Sequence, residues 1–284
     1  MATIVDRMIK NYENFTKSER KIVDYILTNR NDAQYLSITD LSNACDISVS
    51  TVSLFCRKLD MDGFNAFKLE LAKATMPQTN IPYAAAYGNV LPDDTTKQVL
   101  EKIYNDHLTA LKKTYMHLKE ESITAAVDCL MSARRVLCLG QGNHAMVAKS
   151  AWAKFSTVTD NFFTMDDSHL QTLAVSTLCA KDVVLFFSYS GSTHDLLELA
   201  NLIKVTGAKL ILVTRYPNSP GGELADVTLQ IGIDERPQSY GSLAAMTAQI
   251  FIIDLLYNEY CRRDHERCDD VRDFVGKALA KKCL

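Results

Sequence analysis

The residues best suited to chemistry form a hydroxyl-rich run, Ser188-Tyr189-Ser190-Gly191-Ser192-Thr193. Serine and threonine hydroxyls donate hydrogen bonds to anions, and a glycine lets the backbone approach a ligand closely or take a positive φ. Such a run is typical of a loop that binds a phosphate group. The alternative is an ordinary turn in which Ser192 or Thr193 caps a following helix.

The segments on either side of this run predict where it lies in the fold. Val183–Phe187 is a continuous apolar stretch, which is typical of a strand buried on both faces. Residues 195–203 carry apolar side chains at helical spacing. The run therefore lies at the carboxyl edge of a sheet, where open α/β folds bind ligands. The free N–H groups and the dipole of the helix favour an anion there.

Four further segments predict strands that alternate with helices: 135–140, 160–165, 208–213 and 226–231. This alternation predicts a five-stranded parallel sheet flanked by helices on both faces. The first of these strands leads into Gly140-Gln141-Gly142-Asn143-His144, a glycine-rich turn that opens a helix. A G-x-G turn after a strand is by itself only a weak signal of ligand binding.

The bulk composition narrows the class of protein. A hydrophobic fraction of 47%, a charged fraction of 23% and a net charge of −3 are those of a globular chain with no global attraction to nucleic acid or membrane. We expect no membrane span, because no apolar run approaches about 20 residues, and no signal peptide, because residues 1–7 lack its layout. The eight cysteines form no C-x-x-C pair, which predicts buried reduced thiols, no metal site and a cytoplasmic location.

The N-terminal part predicts a helix-turn-helix between residues 38 and 59. Thr39 is the predicted cap of a first short helix, and Asp46 is predicted to break that helix in a left-handed conformation. Ser48 or Ser50 then caps a second helix, the candidate recognition helix for the major groove of DNA. Its exposed N-terminal half offers these candidate DNA contacts: Ser48, Val49, Ser50, Thr51 and Ser53. The alternative is a structural corner of an all-α domain.

Charge gives the helical part only local support as a DNA-binding domain. Its ten basic residues within 1–76 are balanced by ten acidic ones, whereas DNA-binding domains usually carry a basic surplus. A local patch of Arg57 and Lys58, with Lys68 nearby, is the predicted phosphate-binding surface.

Two stretches together resemble one family. Residues 188–193 match the S-x-S-G-x-T signature of the SIS (sugar isomerase) domain, and residues 15–68 resemble the N-terminal domain of RpiR-type bacterial regulators, which join a helix-turn-helix domain to a SIS domain. The matching positions of the N-terminal domain are Leu41, Ser48, Thr51, Val52, Phe55, Cys56, Lys58, Leu59, Gly63, Phe64 and Phe67. The sequence departs from the family pattern at Leu54, usually Arg, and at Asp60, usually Gly.

The resemblance assigns roles in a phosphosugar site. Ser188, Ser190, Ser192 and Thr193 would hold the phosphate, while Gly140, Gly142 and Asn143 would line the sugar side. The glycine-rich turn resembles the first SIS ligand loop, G-x-G-x-S, with His144 in place of the serine. Glu235 corresponds to a glutamate that faces the sugar and serves as a base in isomerases. Alternatively, His144 is a capping residue and Glu235 is a surface carboxylate beside Arg236.

We therefore expect a bacterial transcriptional regulator, without enzymatic activity or cofactor, that binds operator DNA and a phosphorylated sugar as a homodimer or homotetramer. The predicted domains are a helix-turn-helix domain at 1–76, a proline-containing linker at 77–94, and a SIS domain at 95–284 with leading and trailing helices. Two alternatives remain: a sugar-phosphate isomerase that uses Glu235 as base, and a SIS fold that serves only for oligomerisation.

Overall fold

The computed structural model describes residues 4–29, 33–34, 36–75, 90–233 and 242–281. Most of the predicted linker, and Glu235, lie outside these residues. The chain divides into a helical unit and an α/β unit, each with its own hydrophobic core. Within the described ranges, no helix is long and apolar enough to cross a membrane.

The helical unit is built around a single aromatic residue. Phe55 is fully buried, with its ring centroid 5.3 Å from that of Phe15 and 5.8 Å from that of Phe67. The helices of this unit are α1 (Ile4–Lys10), α2 (Lys17–Thr28), α3 (Ile38–Ala44), α4 (Val49–Lys58) and α5 (Phe64–Thr75). Helices α3 and α4 form the predicted helix-turn-helix.

Side-chain caps set where α2 and α3 begin. Thr16 and Glu19 form a reciprocal capping box at the start of α2, in which each side chain accepts a hydrogen bond from the other's backbone N–H. The prediction that Thr39 caps α3 is wrong. Ser37 is the N-cap instead, and its hydroxyl accepts from the N–H of Asp40 at 3.0 Å. The sequence pattern placed the cap two residues late because both residue types suit the position.

Two aspartates end the helices of the helix-turn-helix in left-handed conformations. Asp46 has φ +52°, which confirms the predicted break after α3, and Asp60 has φ +59° just beyond α4. A left-handed residue is the usual place for glycine, and aspartate is one of the few others that adopt it readily. The geometry therefore explains why the family pattern has glycine where this chain has Asp60.

The α/β unit contains the predicted five-stranded parallel sheet, and its strand order is β2-β1-β3-β4-β5. Its strands are β1 (Arg135–Gly140), β2 (Phe162–Thr164), β3 (Asp182–Phe187), β4 (Lys209–Thr214) and β5 (Val227–Gln230). Its helices are α6 (Thr96–His117), α7 (Glu120–Ser132), α8 (Asn143–Phe155), α9 (Ser168–Ser176), α10 (His194–Thr206), α11 (Pro220–Leu224), α12 (Leu243–Arg263) and α13 (His265–Ala280).

Strand β3 lies in the middle of this sheet and is buried along its whole length. Its side chains alternate between two cores, with Val183, Leu185 and Phe187 in one and Val184 and Phe186 in the other. Helices α8 and α12 contribute to the first core, and α9 and α10 contribute to the second. Burial on both faces explains why the sequence of β3 is apolar throughout rather than alternating.

Candidate ligand site and nucleic-acid interface

The two glycine-containing loops lie on neighbouring strands. Gly140 at the end of β1 pairs in register with Phe187 at the end of β3. The helix after β1 covers one face of the sheet and the helix after β3 covers the other. The carboxyl ends of β1 and β3 therefore form the point where the strand order reverses, and such a point opens a crevice for ligands.

The backbone of the hydroxyl-rich loop is fixed by the loop that follows β4. Gly191 is buried with φ +61°, and its carbonyl accepts a hydrogen bond from the N–H of Gly221 at 2.8 Å. An added Cβ at Gly191 would lie 2.9 Å from the Cβ of Ser219. The hydroxyl of Thr214 donates to the carbonyl of Tyr189 at 3.0 Å. These supporting residues lie at the end of β4 and in the segment that follows it, where the Ser-Pro start of α11 was the only sequence signal.

Three serine hydroxyls of the loop make hydrogen bonds within the loop itself. The hydroxyl of buried Ser188 accepts from the N–H of Gly191 at 3.2 Å. The hydroxyl of Ser190 accepts from the N–H of Ser192, while the hydroxyl of Ser192 donates to the carbonyl of Ser190, both at 3.2 Å. Ser190 and Ser192 remain partly exposed, whereas Ser188 is enclosed.

Thr193 occupies the N-cap position of α10 without capping it. Its hydroxyl makes no cap hydrogen bond, and the residue is exposed. The first N–H groups of a helix have no partner inside the helix, so an uncapped first turn presents donors and the positive end of the helix dipole. The start of helix α10 therefore has no side-chain cap at the sheet edge, a geometry suited to an anion.

The glycine-rich turn after β1 is held by hydrogen bonds from Gln171, a residue of α9. Gln171 is fully buried, and its Nε2 donates to the carbonyls of Met165 at 2.8 Å and Gly140 at 3.3 Å. Its Oε1 accepts from Nε2 of Gln141 at 2.8 Å. Gly142 has φ +57° and precedes α8. Sequence reasoning missed Gln171, which forms the buried side of α9 together with Val175.

His144 faces a glutamine on α12. Its Nδ1 lies 2.9 Å from Oε1 of Gln249, which is fully buried. Burial lowers the pKa of His144 below its usual range, and the hydrogen bond to Gln249 opposes this only in part. The lowered pKa favours the neutral imidazole at pH 7, and Nδ1 is the ring nitrogen that faces Gln249. Among the described residues, Nε2 of Gln249 has no hydrogen-bond partner. Sequence reasoning missed Gln249 as well.

The remaining site predictions concern Glu235 and metals. Glu235 and its neighbours lie outside the described residues, so its predicted place beside the sugar stays a prediction. Within the part of the chain that the structure describes, no cluster of His, Cys, Asp or Glu side chains has the geometry to hold a metal ion.

The outer face of α4 carries most of the predicted DNA contacts. Ser48 is the N-cap of α4, because its hydroxyl accepts from the N–H of Thr51 at 3.1 Å. It also lies 2.8 Å from the hydroxyl of Thr51 and 3.0 Å from that of Ser50. Val49 and Ser50 are exposed, and Ser53 is partly exposed. The predicted positions therefore share one end of α4, with Ser48 and Thr51 occupied by the cap.

The predicted basic patch is smaller in the structure than in the sequence. The ammonium group of Lys58 pairs with Glu19 at 2.9 Å and donates to the carbonyl of Asn14 at 3.1 Å. Lys68 lies over the ring of Phe64 at 5.8 Å, and burial lowers its pKa to about 8. Arg57 is exposed and forms no ion pair with any described residue. Of the three predicted cations, Arg57 is thus the one fully available to a phosphate.

The fold defines a class of protein: a helix-turn-helix domain joined to an α/β domain with a parallel sheet and glycine-containing loops at the carboxyl ends of β1 and β3. The chain matches the family model for the helix-turn-helix domain of the rpiR family over residues 3–78 and that for the SIS domain over residues 129–259. The chain therefore belongs to the RpiR family of helix-turn-helix transcriptional regulators, as the sequence resemblance predicted.

Individual relatives agree with this assignment. The chain is 33% identical over 244 residues to an uncharacterized HTH-type transcriptional regulator of Caldanaerobacter subterraneus, covering 86% of this chain and 85% of the relative. It is 30% identical to the regulator HexR of Escherichia coli, covering 97% and 94%. The solved structure of Vibrio vulnificus NanR, complexed with ManNAc-6P, has the same fold, with a TM-score of 0.80, 22% identity and coverage of 99% and 100%.

Proposed function

We propose that this regulator binds operator DNA through residues 1–76 and a phosphorylated sugar through its SIS domain, and that the sugar changes its affinity for DNA. The single observation that carries the ligand proposal is the uncapped start of α10, which lies at the point where the strand order of the sheet reverses. A helix end left without a cap at such an edge is suited to a phosphate group. The linker at 77–94 and the SIS domain at 95–284 complete the proposed domain organisation.

The phosphate is held by the exposed part of the hydroxyl-rich loop. Thr193 and the partly exposed Ser190 and Ser192 supply hydroxyls, and the first turn of α10 supplies backbone N–H groups. Ser188 acts differently from the others, since its buried hydroxyl holds the N–H of Gly191 and thereby shapes the loop. Gly191 permits the close packing of that loop on Ser219.

The sugar is read by the neighbouring loop of Gly140, Gly142, Asn143 and His144. We place the proton of the neutral His144 ring on Nδ1, as the donor to Oε1 of Gln249, so that Nε2 is a hydrogen-bond acceptor. An acceptor suits a sugar hydroxyl rather than a phosphate oxygen, so His144 belongs to the sugar side of the site. Glu235 is retained as a proposed contact to the sugar on the strength of the family pattern alone.

A ligand shifts DNA binding only if it has different affinity for two states of the protein. Two such states are readily formed by a homodimer, and the α/β unit has apolar surface for one. Helices α6, α8 and α12 line an open groove of about 410 Å³. Exposed apolar residues on α6 and α12 continue this surface: Leu100, Ile103, Tyr104, Leu108, Tyr115, Met116, Leu243 and Ile250. We propose that a second copy of the chain covers this surface, in the cytoplasm where the operator lies.

The proposal is tested by the substitution Thr193→Asp. Aspartate is a favoured N-cap residue and suits the helix dipole, so the variant folds at least as stably as the parent chain. The same carboxylate repels a phosphate bound at that end. We expect hexose 6-phosphates, including N-acetylmannosamine 6-phosphate, to raise the Tm of the parent protein, and Thr193→Asp to abolish that shift.

The control variant is Thr16→Asp, which makes the same substitution at the N-cap of α2 in the helical unit. It should retain the ligand-induced shift in Tm. A shift that persists in Thr193→Asp would place the phosphate elsewhere. Assays of the same sugars should show no turnover, because the proposed role is sensing; conversion of fructose 6-phosphate would favour the isomerase alternative.

A further inference from the structure

The recognition helix α4 carries an exposed leucine at the centre of its outer face. Leu54 has 62% of its surface exposed and belongs to neither the core of the helical unit nor its partly buried fringe. Inward packing of α4 is supplied by Val52, Phe55 and Cys56. Leu54 therefore has no part in holding the helix in the domain.

The neighbours of Leu54 place it on the surface that faces DNA. Ser50 precedes it by four residues and Arg57 follows it by three, so the three side chains lie along one line of the helix. Both neighbours are exposed. Arg57 supplies a cation at one end of that line, and Val49, which is 41% accessible, lies beside Ser50 on the first turn of α4 as a second exposed apolar group. The line is thus polar at both ends and apolar in the middle.

The groups that bases present in the major groove indicate which base such a row of side chains recognises. Thymine is the one common base that presents an apolar group there, its 5-methyl group, and apolar side chains recognise it by contact. A leucine can neither donate to guanine nor bind a phosphate. An exposed leucine at this position of α4 therefore suits contact with a methyl group rather than a hydrogen bond.

We propose that Leu54, assisted by Val49, is a specificity-determining residue that recognises thymine methyl groups in the operator. The inference rests on the proposed binding of operator DNA by this domain. The alternative is that Leu54 contacts a protein surface instead of DNA, and the test below distinguishes the two.

The test uses the full-length protein and duplexes selected by it from a random pool. Each thymine of a selected duplex is replaced in turn by deoxyuridine, which lacks only the methyl group, and Kd is measured by fluorescence anisotropy at one salt concentration. Loss of one buried methyl contact should weaken binding about fourfold. Replacing a sensitive thymine–adenine pair by 5-methylcytosine–guanine should preserve more affinity than unmethylated cytosine–guanine.

The variant Leu54→Ala should reduce the deoxyuridine penalty at the sensitive position to less than about twofold, while Leu69→Ala should leave it unchanged. Leu69 is a matched control, because it is 58% exposed on α5 of the same unit. An undiminished penalty in Leu54→Ala, or selected duplexes without any methyl-sensitive thymine, would overturn the proposal. Failure to select any duplex would instead refute operator binding, and the proposal with it. If Leu54→Ala changes only the oligomeric state, Leu54 contacts protein and the proposal is wrong.

Discussion

Two helix starts in this molecule have similar residues and opposite properties. Helix α4 begins after Ser48 and helix α10 begins after Thr193, and serines and threonines surround both. At α4, the hydroxyl of Ser48 closes on the N–H of Thr51. At α10, the hydroxyl of Thr193 makes no such bond, and the first turn stays open. A helix start rich in hydroxyl groups can therefore be capped by one of its own side chains, as at α4, or lack such a cap, as at α10.

The difference comes from what precedes each helix. Ser48 follows a short turn within the helical unit and is free to adopt the geometry of a cap. The residues before Thr193 are held by contacts to another part of the chain, since the carbonyl of Gly191 accepts from Gly221. The backbone of this loop is therefore set by packing against a distant segment as well as by the helix that follows. An open helix end is accordingly a feature that distant residues maintain.

The largest effect on stability should follow from a substitution that disturbs the packing of Gly191 on Ser219. Gly191→Ala requires a positive φ that alanine avoids and places a Cβ against Ser219, whose hydroxyl caps α11. We expect a loss of about 2–4 kcal/mol in the free energy of unfolding. The single tryptophan, Trp152, lies on α8, so its fluorescence in urea reports on the α/β unit.

The matched control is Gly276→Ala on α13. This glycine has an ordinary φ, and an added Cβ there meets no atom within 4 Å. Alanine is the better helix former, so this variant should gain up to about 1 kcal/mol. Equal stability of the two variants would mean that the loop is not held as described.

A smaller effect on stability is expected from alanine substitutions at the two helix starts, and its size should differ between them. Ser48→Ala removes a cap and should cost about 1 kcal/mol, whereas Thr193→Ala removes no cap hydrogen bond and should change the stability of the α/β unit by less than about 0.5 kcal/mol. Because the helical unit lacks tryptophan, amide hydrogen exchange of α4 is the measurement, with roughly fivefold faster exchange expected in Ser48→Ala. Equal costs at both positions would show that Thr193 also caps its helix.

The smallest effect concerns pH. Because the folded protein depresses the pKa of His144, the folded state binds fewer protons than the unfolded state below the unfolded pKa of about 6.5. Stability contributed by neutral His144 is therefore present above about pH 6.5 and is lost as the pH falls toward its folded pKa. We expect His144→Asn to make the unfolding free energy measured with Trp152 less dependent on pH between 7 and 5. An identical pH dependence in the two proteins would place the His144 ring in contact with water.

Sequence reasoning was most successful where the information is local. The parallel sheet and the left-handed Asp46 follow from periodicity and turn chemistry over a few residues. The error at α3, where Ser37 rather than Thr39 is the cap, arose because neighbouring residues suit the same role. The predicted ligand and DNA contacts, including Glu235, remain predictions.

The sequence by itself determined the family, the order of strands and helices, and the presence of a hydroxyl-rich loop at a sheet edge, because residues close in the chain encode these. Only the tertiary structure decided how individual side chains are used. It turned Lys58 toward Glu19, His144 toward Gln249, and the loop of Gly191 onto Ser219. Each of these contacts joins residues far apart in the chain, and packing of buried surfaces rather than local propensity brings such residues together.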